Sequence, residues 1–155
     1  MERKKIIGLI GGGECTPEIE EAARNVGRGI AEKGGILICG GLGGVMEAGA
    51  KGAKEAGGTT IGVIPGMNPN DANKYIDIPI ASGVGYARNI IIVNSSDSVI
   101  AVSGKFGTLS EIAFCLQFNV PVISLFSWKV HPSIIIVDKP EKAVELAFSL
   151  RRKIK

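Results

Sequence analysis

Short β-branched runs that stop in glycine, each followed by a helical pattern, are the feature that most narrows what this chain can fold into. "KKIIGLI" (Lys4 to Ile10) reads as a buried strand and ends in Gly11-Gly12-Gly13. Thr16 then stands as an N-cap with Pro17 in the first helical turn, an ordinary helix start. "GILICGG" (Gly35 to Gly41) is a second strand, followed by a helix through "VMEAGAKGAKEAG", and "TTIGVIPG" (Thr59 to Gly66) is a third. "MNPNDANK" is a polar loop, and "YIDIPIA" (Tyr75 to Ala81) is a fourth strand or an extended segment. "VGYARNIIIVNSS" reads as a helix despite its β-branched content, because a crossover is needed before the fifth strand, "DSVIAVSG" (Asp97 to Gly104). "PVISLF" (Pro121 to Phe126) is the sixth strand; "SIIIVD" and "KPEKAVELAFSLRRKIK" add a last strand and a C-terminal helix. Continuous apolar strands alternating with helices imply an α/β fold: one doubly wound, mostly parallel sheet with helices on both faces. At 155 residues, without a linker or repeat, residues 1–155 read as a single domain.

Composition excludes several classes. Eighteen basic and fifteen acidic residues leave a net charge of only +3, part of it in the terminal runs "ERKK" and "RRKIK". Aromatics are 5%, so the basic groove with stacking rings that nucleic acid requires is not expected. Cys15, Cys39 and Cys115 are widely spaced with no CxxC, which argues against a disulfide framework or a zinc site. No metal site is expected; His131 stands alone. "IIGLI" is too short for a signal core and no apolar stretch approaches the ~20 residues of a membrane span, so the expectation is a cytoplasmic protein with no membrane partner.

The glycines fall where a ligand would sit. Strand one ends in "GGGE", strand two in "CGGLGG", strand four in "ASGVG" and strand five in "SGKFGT". In a parallel sheet these turns share the carboxyl edge, where open α/β sheets bind ligands at the point of strand-order reversal. With the common 3-2-1-4-5-6 order, strands one and four would flank that crevice, with the strand-five turn beside them. Glycine lets the backbone approach a ligand, and the helix N-termini that follow offer free N–H groups to a phosphate. The binding candidates are therefore Gly11, Gly12, Gly13, Gly40, Gly41, Gly43, Gly83, Gly104, Lys105, Gly107 and Thr108. No G-x-x-x-x-G-K-[ST] is present, and Cys39 and Gly40 stand where a dehydrogenase would carry the acidic residue that grips ribose.

Taken together, "GGLGGVMEA" (Gly40 to Ala48), "ARN" (Ala87 to Asn89) and "SGKFGTLSE" (Ser103 to Glu111) resemble the Rossmann-like proteins labelled lysine-decarboxylase-like. That group includes the LONELY GUY cytokinin-activating phosphoribohydrolases and the molybdenum-cofactor carrier proteins. The resemblance runs from strand one to about Phe126. The hydrolases carry P-G-G-x-G-T-x-x-E after strand five and an Arg-Lys pair on the preceding helix. Gly104, Gly107, Thr108, Glu111 and Arg88 match; Ser103, Lys105 and Asn89 replace the proline, the second glycine and the lysine. Those departures are nearer the carrier-like branch. Nothing marks a lysine for pyridoxal phosphate, so the decarboxylase label has little chemical support.

Glu111 reads in two ways. Thr108-Leu109-Ser110-Glu111 is a T-x-x-E capping box, with Thr108 as cap and Glu111 reaching back to it. The resemblance makes Glu111 and Arg88 the catalytic pair instead, the carboxylate facing a ribose and the guanidinium a phosphate. With the glycine edge included the site reading leads, and the two roles need not exclude each other. Lys105 either adds charge over the phosphate or extends into solvent; Tyr86 stacks on a base or, the stronger expectation, packs; Asp71 and Asp77 border a loop that can cover the pocket.

The resemblance implies binding of a phosphorylated small molecule, a nucleoside monophosphate or a molybdopterin-type ligand, at the glycine-rich edge by a carrier or sensor. Its alternative is a phosphoribohydrolase cleaving the N-glycosidic bond of a nucleoside 5′-monophosphate with Glu111 and Arg88. Molybdenum cofactor or a nucleotide is then a bound ligand rather than a resident cofactor. The resemblance, with the apolar run "RNIIIV" (Arg88 to Val93), also implies a homodimer or higher homo-oligomer.

Overall fold

The computed structural model describes residues 2–154. Among these residues seven strands, β1 (Ile6–Gly11), β2 (Ile36–Cys39), β3 (Thr59–Ile64), β4 (Ile78–Ala81), β5 (Ser98–Val102), β6 (Val122–Leu125) and β7 (Ile135–Val137), are interspersed with five α-helices. The helices are α1 (Pro17–Glu32), α2 (Val45–Glu55), α3 (Arg88–Ser95), α4 (Phe106–Gln117) and α5 (Pro140–Ser149). All seven strands form one sheet in the order β4-β3-β2-β1-β5-β6-β7. Every pairing is parallel.

The strand pleat sends alternate side chains into two cores. Ile7 and Leu9 of β1 join Val26 and Ile30 of α1, Ala48 of α2 and Val144 of α5 on one face. Ile10 joins Ile92 and Val93 of α3 and Ile112 and Cys115 of α4 on the other. Both faces of the sheet are covered, which is why the central strands read as continuous apolar runs rather than alternating ones. The start of α1 is as expected: Thr16 Oγ1 accepts from the Ile19 N–H at 3.4 Å, with Pro17 in the first turn.

Four expectations need correction. The order is not 3-2-1-4-5-6: the fourth strand pairs outside β3, and β5 takes the place beside β1. Residues 78–81 are exposed throughout, so β4 is an added edge rather than a wall of the central crevice. The order reverses between β1 and β5, and their turns flank the switch point. The third helical segment is shorter than 84–96, because Gly85–Ala87 form a 3-10 turn before α3. The last helix stops at Ser149 rather than running to the terminus; residue 155 lies outside the described residues. Finally, α4 opens at Phe106 with Lys105 as its cap position and no side-chain cap bond. Thr108 is therefore inside the first turn and Glu111 a turn further on, so the T-x-x-E sequence forms no capping box. No helix among the described residues is long and apolar enough to cross a membrane.

Candidate functional site

A cavity of about 670 Å³ opens at the carboxyl edge between the turns after β1 and β5. Those turns are held by close backbone contacts. Gly44, with φ +64°, lies where a Cβ would come within 2.2 Å of the Gly12 carbonyl oxygen. The Val45 N–H donates to that same oxygen at 3.0 Å, tying the start of α2 to the turn after β1. After β5 the chain bends sharply: Ser103 has φ +51° and Gly104 φ +99°. A non-glycine residue in the left-handed region stores strain and is held only by its surroundings. Here Ser127 Oγ donates to the Ser103 carbonyl at 2.6 Å, and the Ser103 N–H donates to the Leu125 carbonyl at 3.2 Å.

The bend delivers the N-terminus of α4 to the cavity uncapped, with Gly107 and Thr108 in the wall. Their first-turn N–H groups have no partner within a helix, and they sit at the positive end of its dipole. Trp128 Nε1 donates to the Lys105 carbonyl at 3.0 Å and fixes the turn from outside. Lys105 itself is exposed at the mouth.

Arg88 enters from the opposite helix. It is the first residue of α3 and only 6% exposed. Its Nε donates to the Val63 carbonyl at 2.8 Å and its Nη1 to Asn89 Oδ1. Asn89 Nδ2 meets Ser110 Oγ at 3.4 Å, and Ser110 Oγ donates to the Gly107 carbonyl at 2.6 Å. A polar chain thus links the guanidinium to the first turn of α4. Gly40 supplies the room: a Cβ there would lie 2.7 Å from Arg88 Nη2 and 2.6 Å from Met46 Sδ.

Glu111 faces the same cavity and is 7% exposed. Its carboxyl group makes no hydrogen bond and no ion pair within 4 Å among the described residues. Burial pushes its pKa up to about 8, and the charge of Arg88 opposes that rise. Arg88 is in turn shifted down by burial, with Glu111 opposing. Cys39, wholly buried beneath them, is pushed up to about 12 by burial and is inert as a thiolate at neutral pH.

Of the binding candidates, Gly11, Gly12, Gly13, Gly40, Gly104, Lys105, Gly107 and Thr108 line the cavity with Arg88 and Glu111. Gly41, Gly43 and Gly83 do not. Gly83 belongs to the β4 turn, where it packs against Met67 at the far margin of the sheet. Tyr86 is 84% exposed at the cavity mouth instead of packed. Asp77 is engaged elsewhere, with Lys54 at 2.8 Å and the Thr60 N–H at 2.9 Å. The Met67–Lys74 loop is pinned by Asn73, whose N–H donates to the Gly41 carbonyl and whose Nδ2 donates to the Leu42 carbonyl. Glu14, Leu42 and Met46 also line the cavity and were missed. Their place beside the glycine turns was the available signal.

The family model described as the SLOG cluster4 family matches residues 4–152. The chain belongs to that family. This SLOG cluster4 protein is also similar to two solved structures along almost its whole length. The molybdenum cofactor binding protein of Rippkaea orientalis superposes with a TM-score of 0.91 at 40% identity, over 96% of this chain and 98% of that one. The molybdenum cofactor carrier protein of Chlamydomonas reinhardtii gives a TM-score of 0.86 at 35% identity, with the same shares covered. Similarity extends less far to the cytokinin riboside 5′-monophosphate phosphoribohydrolase of Mycobacterium tuberculosis: 38% identity over 99 residues, 61% of this chain. The SLOG cluster4 chain thus spans about half of that enzyme, 52%. The Rossmann-like architecture and the kinship with both phosphoribohydrolases and cofactor carriers agree with the resemblance read from the glycine turns.

Proposed function

We propose that the protein binds a molybdopterin-type ligand, a pterin bearing a phosphate, in the cavity at the β1–β5 switch point and serves as its carrier. The observation that carries this reading is the end-to-end likeness to the two molybdenum cofactor proteins, with 96% of this chain covered in each case. The residues present fit such a ligand. A volume of about 670 Å³ suits a small molecule of this size. The N–H groups of Gly107 and Thr108 and the Lys105 ammonium are suited to the phosphate, and Arg88 adds a buried positive charge. Candidates outside the wall, Gly41, Gly43 and Gly83, act in this reading only by shaping the turns. The test is co-elution of the purified protein with molybdenum cofactor on gel filtration. A near-stoichiometric complex is expected; cofactor eluting wholly free of protein overturns the proposal.

A second reading, hydrolysis of a nucleoside 5′-monophosphate, is favoured by Arg88 and Glu111 reaching one cavity from two helices. A carboxyl group with a pKa near 8 can give or take a proton at neutral pH. Chromatography of nucleoside monophosphates incubated with the protein tests it, free base being the positive result. We also propose a homo-oligomer. In the run Arg88–Val93, Ile92 and Val93 are buried in the monomer while Ile91 is exposed, and Ile78, Ile80 and Val84 leave a second apolar margin at β4. Sedimentation velocity at micromolar concentration tests this, a lone monomer being the negative result.

A further inference from the structure

We infer that Arg88 and Glu111 together read the edge of a 2-amino-4-oxo heterocycle, the edge shared by pterins and guanine. The inference rests on the cavity being a pterin site and adds which residues recognise the ring.

Its basis is a mismatch inside the cavity. Glu111 is 93% shielded from solvent, yet no protein group donates to it. Its oxygens open onto the cavity rather than being sealed in protein, so a ligand's donors can meet what the protein leaves unmet. Arg88 would be its natural partner but is held away: Nε is engaged by the Val63 carbonyl and Nη1 by Asn89 Oδ1, and no ion pair within 4 Å forms with Glu111. Nη2, lodged over Gly40, makes no hydrogen bond among the described residues. The cavity wall therefore offers one free donor arm near a carboxyl group that, when ionised, presents two free acceptor oxygens.

A 2-amino-4-oxo ring is complementary to that pattern. Its carbonyl oxygen accepts from a guanidinium, and the adjacent ring N–H and exocyclic amino group donate side by side to both Glu111 oxygens once the carboxyl group has released the proton that burial holds on it in the empty cavity, a release that two donors beside Arg88 favour. Two parallel bonds to a carboxylate are stronger and more selective than one. Replacing the amino group by a second oxo group sets an acceptor against an acceptor, and a site built for a donor rejects such an analogue. A ribose diol also donates to a carboxylate, but it would give no discrimination between rings.

The experiment compares 6-hydroxymethylpterin monophosphate with its deaminated counterpart, 6-hydroxymethyllumazine monophosphate, by calorimetry on the intact protein. The pterin is expected to bind roughly ten- to a hundredfold more tightly, the usual discrimination of a bidentate pair. In Glu111→Gln that gap is expected to shrink to about threefold or less, since the amide keeps one acceptor and turns a donor toward the other. Equal binding of the two rings by the wild type, or an unchanged gap in Glu111→Gln, overturns the inference while leaving a pterin site in place. Binding of neither ring overturns the pterin reading, and this inference with it. The wild-type comparison needs no variant, so a poorly folding Glu111→Gln does not block the test.

Discussion

Arg88 and Glu111 line one cavity from different helices and do not pair. The guanidinium is fastened by Val63 and Asn89, and the carboxyl group has no donor. A fastened guanidinium and an unpaired carboxyl group left apart in a buried site are poised for a third group. This relation separates the cavity from an ordinary buried ion pair, which would close on itself and contribute little net stability.

The first prediction concerns pH. The folded-state pKa of Glu111 lies at about 8, above its ordinary 4.5, because burial disfavours the charge. Between those values the folded state holds a proton that the unfolded chain has lost, so stability is full below pH 4.5 and falls as pH rises through about 8. Arg88 on α3 is the charge that acts on it; Cys39 on β2 and Cys115 on α4 are buried neutral thiols, and Lys105, Glu14 and Tyr86 lie in the same cavity wall. Glu111→Gln should therefore leave Tm nearly unchanged at pH 5 and raise it by several degrees at pH 8.5, each kcal/mol being worth about 2–4 °C in a domain of this size. Thermal melts across that range check it, and parallel curves for the two proteins would refute it.

Removing Arg88 should move Glu111 further. The guanidinium holds the carboxyl pKa down against burial, so Arg88→Ala should raise that pKa and leave the Val63 carbonyl without its donor. We expect a stability loss of about 1–3 kcal/mol and at least tenfold weaker binding of a phosphorylated ligand. Carboxyl carbon shifts in a pH titration measure the first effect, and calorimetry the second.

Gly40→Ala tests the space that admits Arg88. The added Cβ meets the ends of two flexible side chains, Met46 Sδ and Arg88 Nη2, rather than backbone. The fold should yield by about 1 kcal/mol while the guanidinium is displaced, costing roughly tenfold in ligand affinity. Equal affinity in a folded variant would mean that Arg88 does not need its observed place.

The two glycines of the β5–α4 turn should behave oppositely. A Cβ at Gly107 meets nothing within 4 Å, so Gly107→Val should change Tm by no more than a few degrees yet weaken sulfate or phosphate binding at the mouth. At Gly104, φ is +99° and a Cβ would lie 2.1 Å from Thr108 Oγ1, so Gly104→Ala should destabilise by about 2 kcal/mol or more. Denaturation midpoints of the two variants separate these outcomes.

One of the positions that depart from the hydrolase pattern also has a structural cost attached. Asn89 is buried beside Arg88, accepting from it and reaching Ser110. Asn89→Lys would bury a second cation next to the guanidinium and should destabilise by about 3 kcal/mol. Lys105→Gly, at an exposed position that makes no side-chain cap, should be nearly neutral. A stable Asn89→Lys protein that releases base from a nucleoside monophosphate would favour the hydrolytic reading.

Local chemistry was legible in the chain itself. Alternating β-branched and helical runs determined a parallel α/β sheet, and glycine at the strand ends marked the carboxyl edge where the cavity opens, because both signals act within a few residues. Thr16 and Pro17 announced α1 for the same reason. The tertiary structure alone decided what depends on distant partners. Strand pairing sent β4 to the outer edge with Gly83 and brought β5 beside β1. Trp128 and Ser127 hold the turn that starts α4 at Phe106, which moves Thr108 out of the cap position that its T-x-x-E spacing had promised. The unpaired state of Glu111 was least visible of all. It arises because the Val63 carbonyl, 25 residues from Arg88 in the chain, and Asn89 hold Nε and Nη1 and fix the guanidinium away from the carboxyl group, and a spacing pattern carries no record of who binds whom across the core.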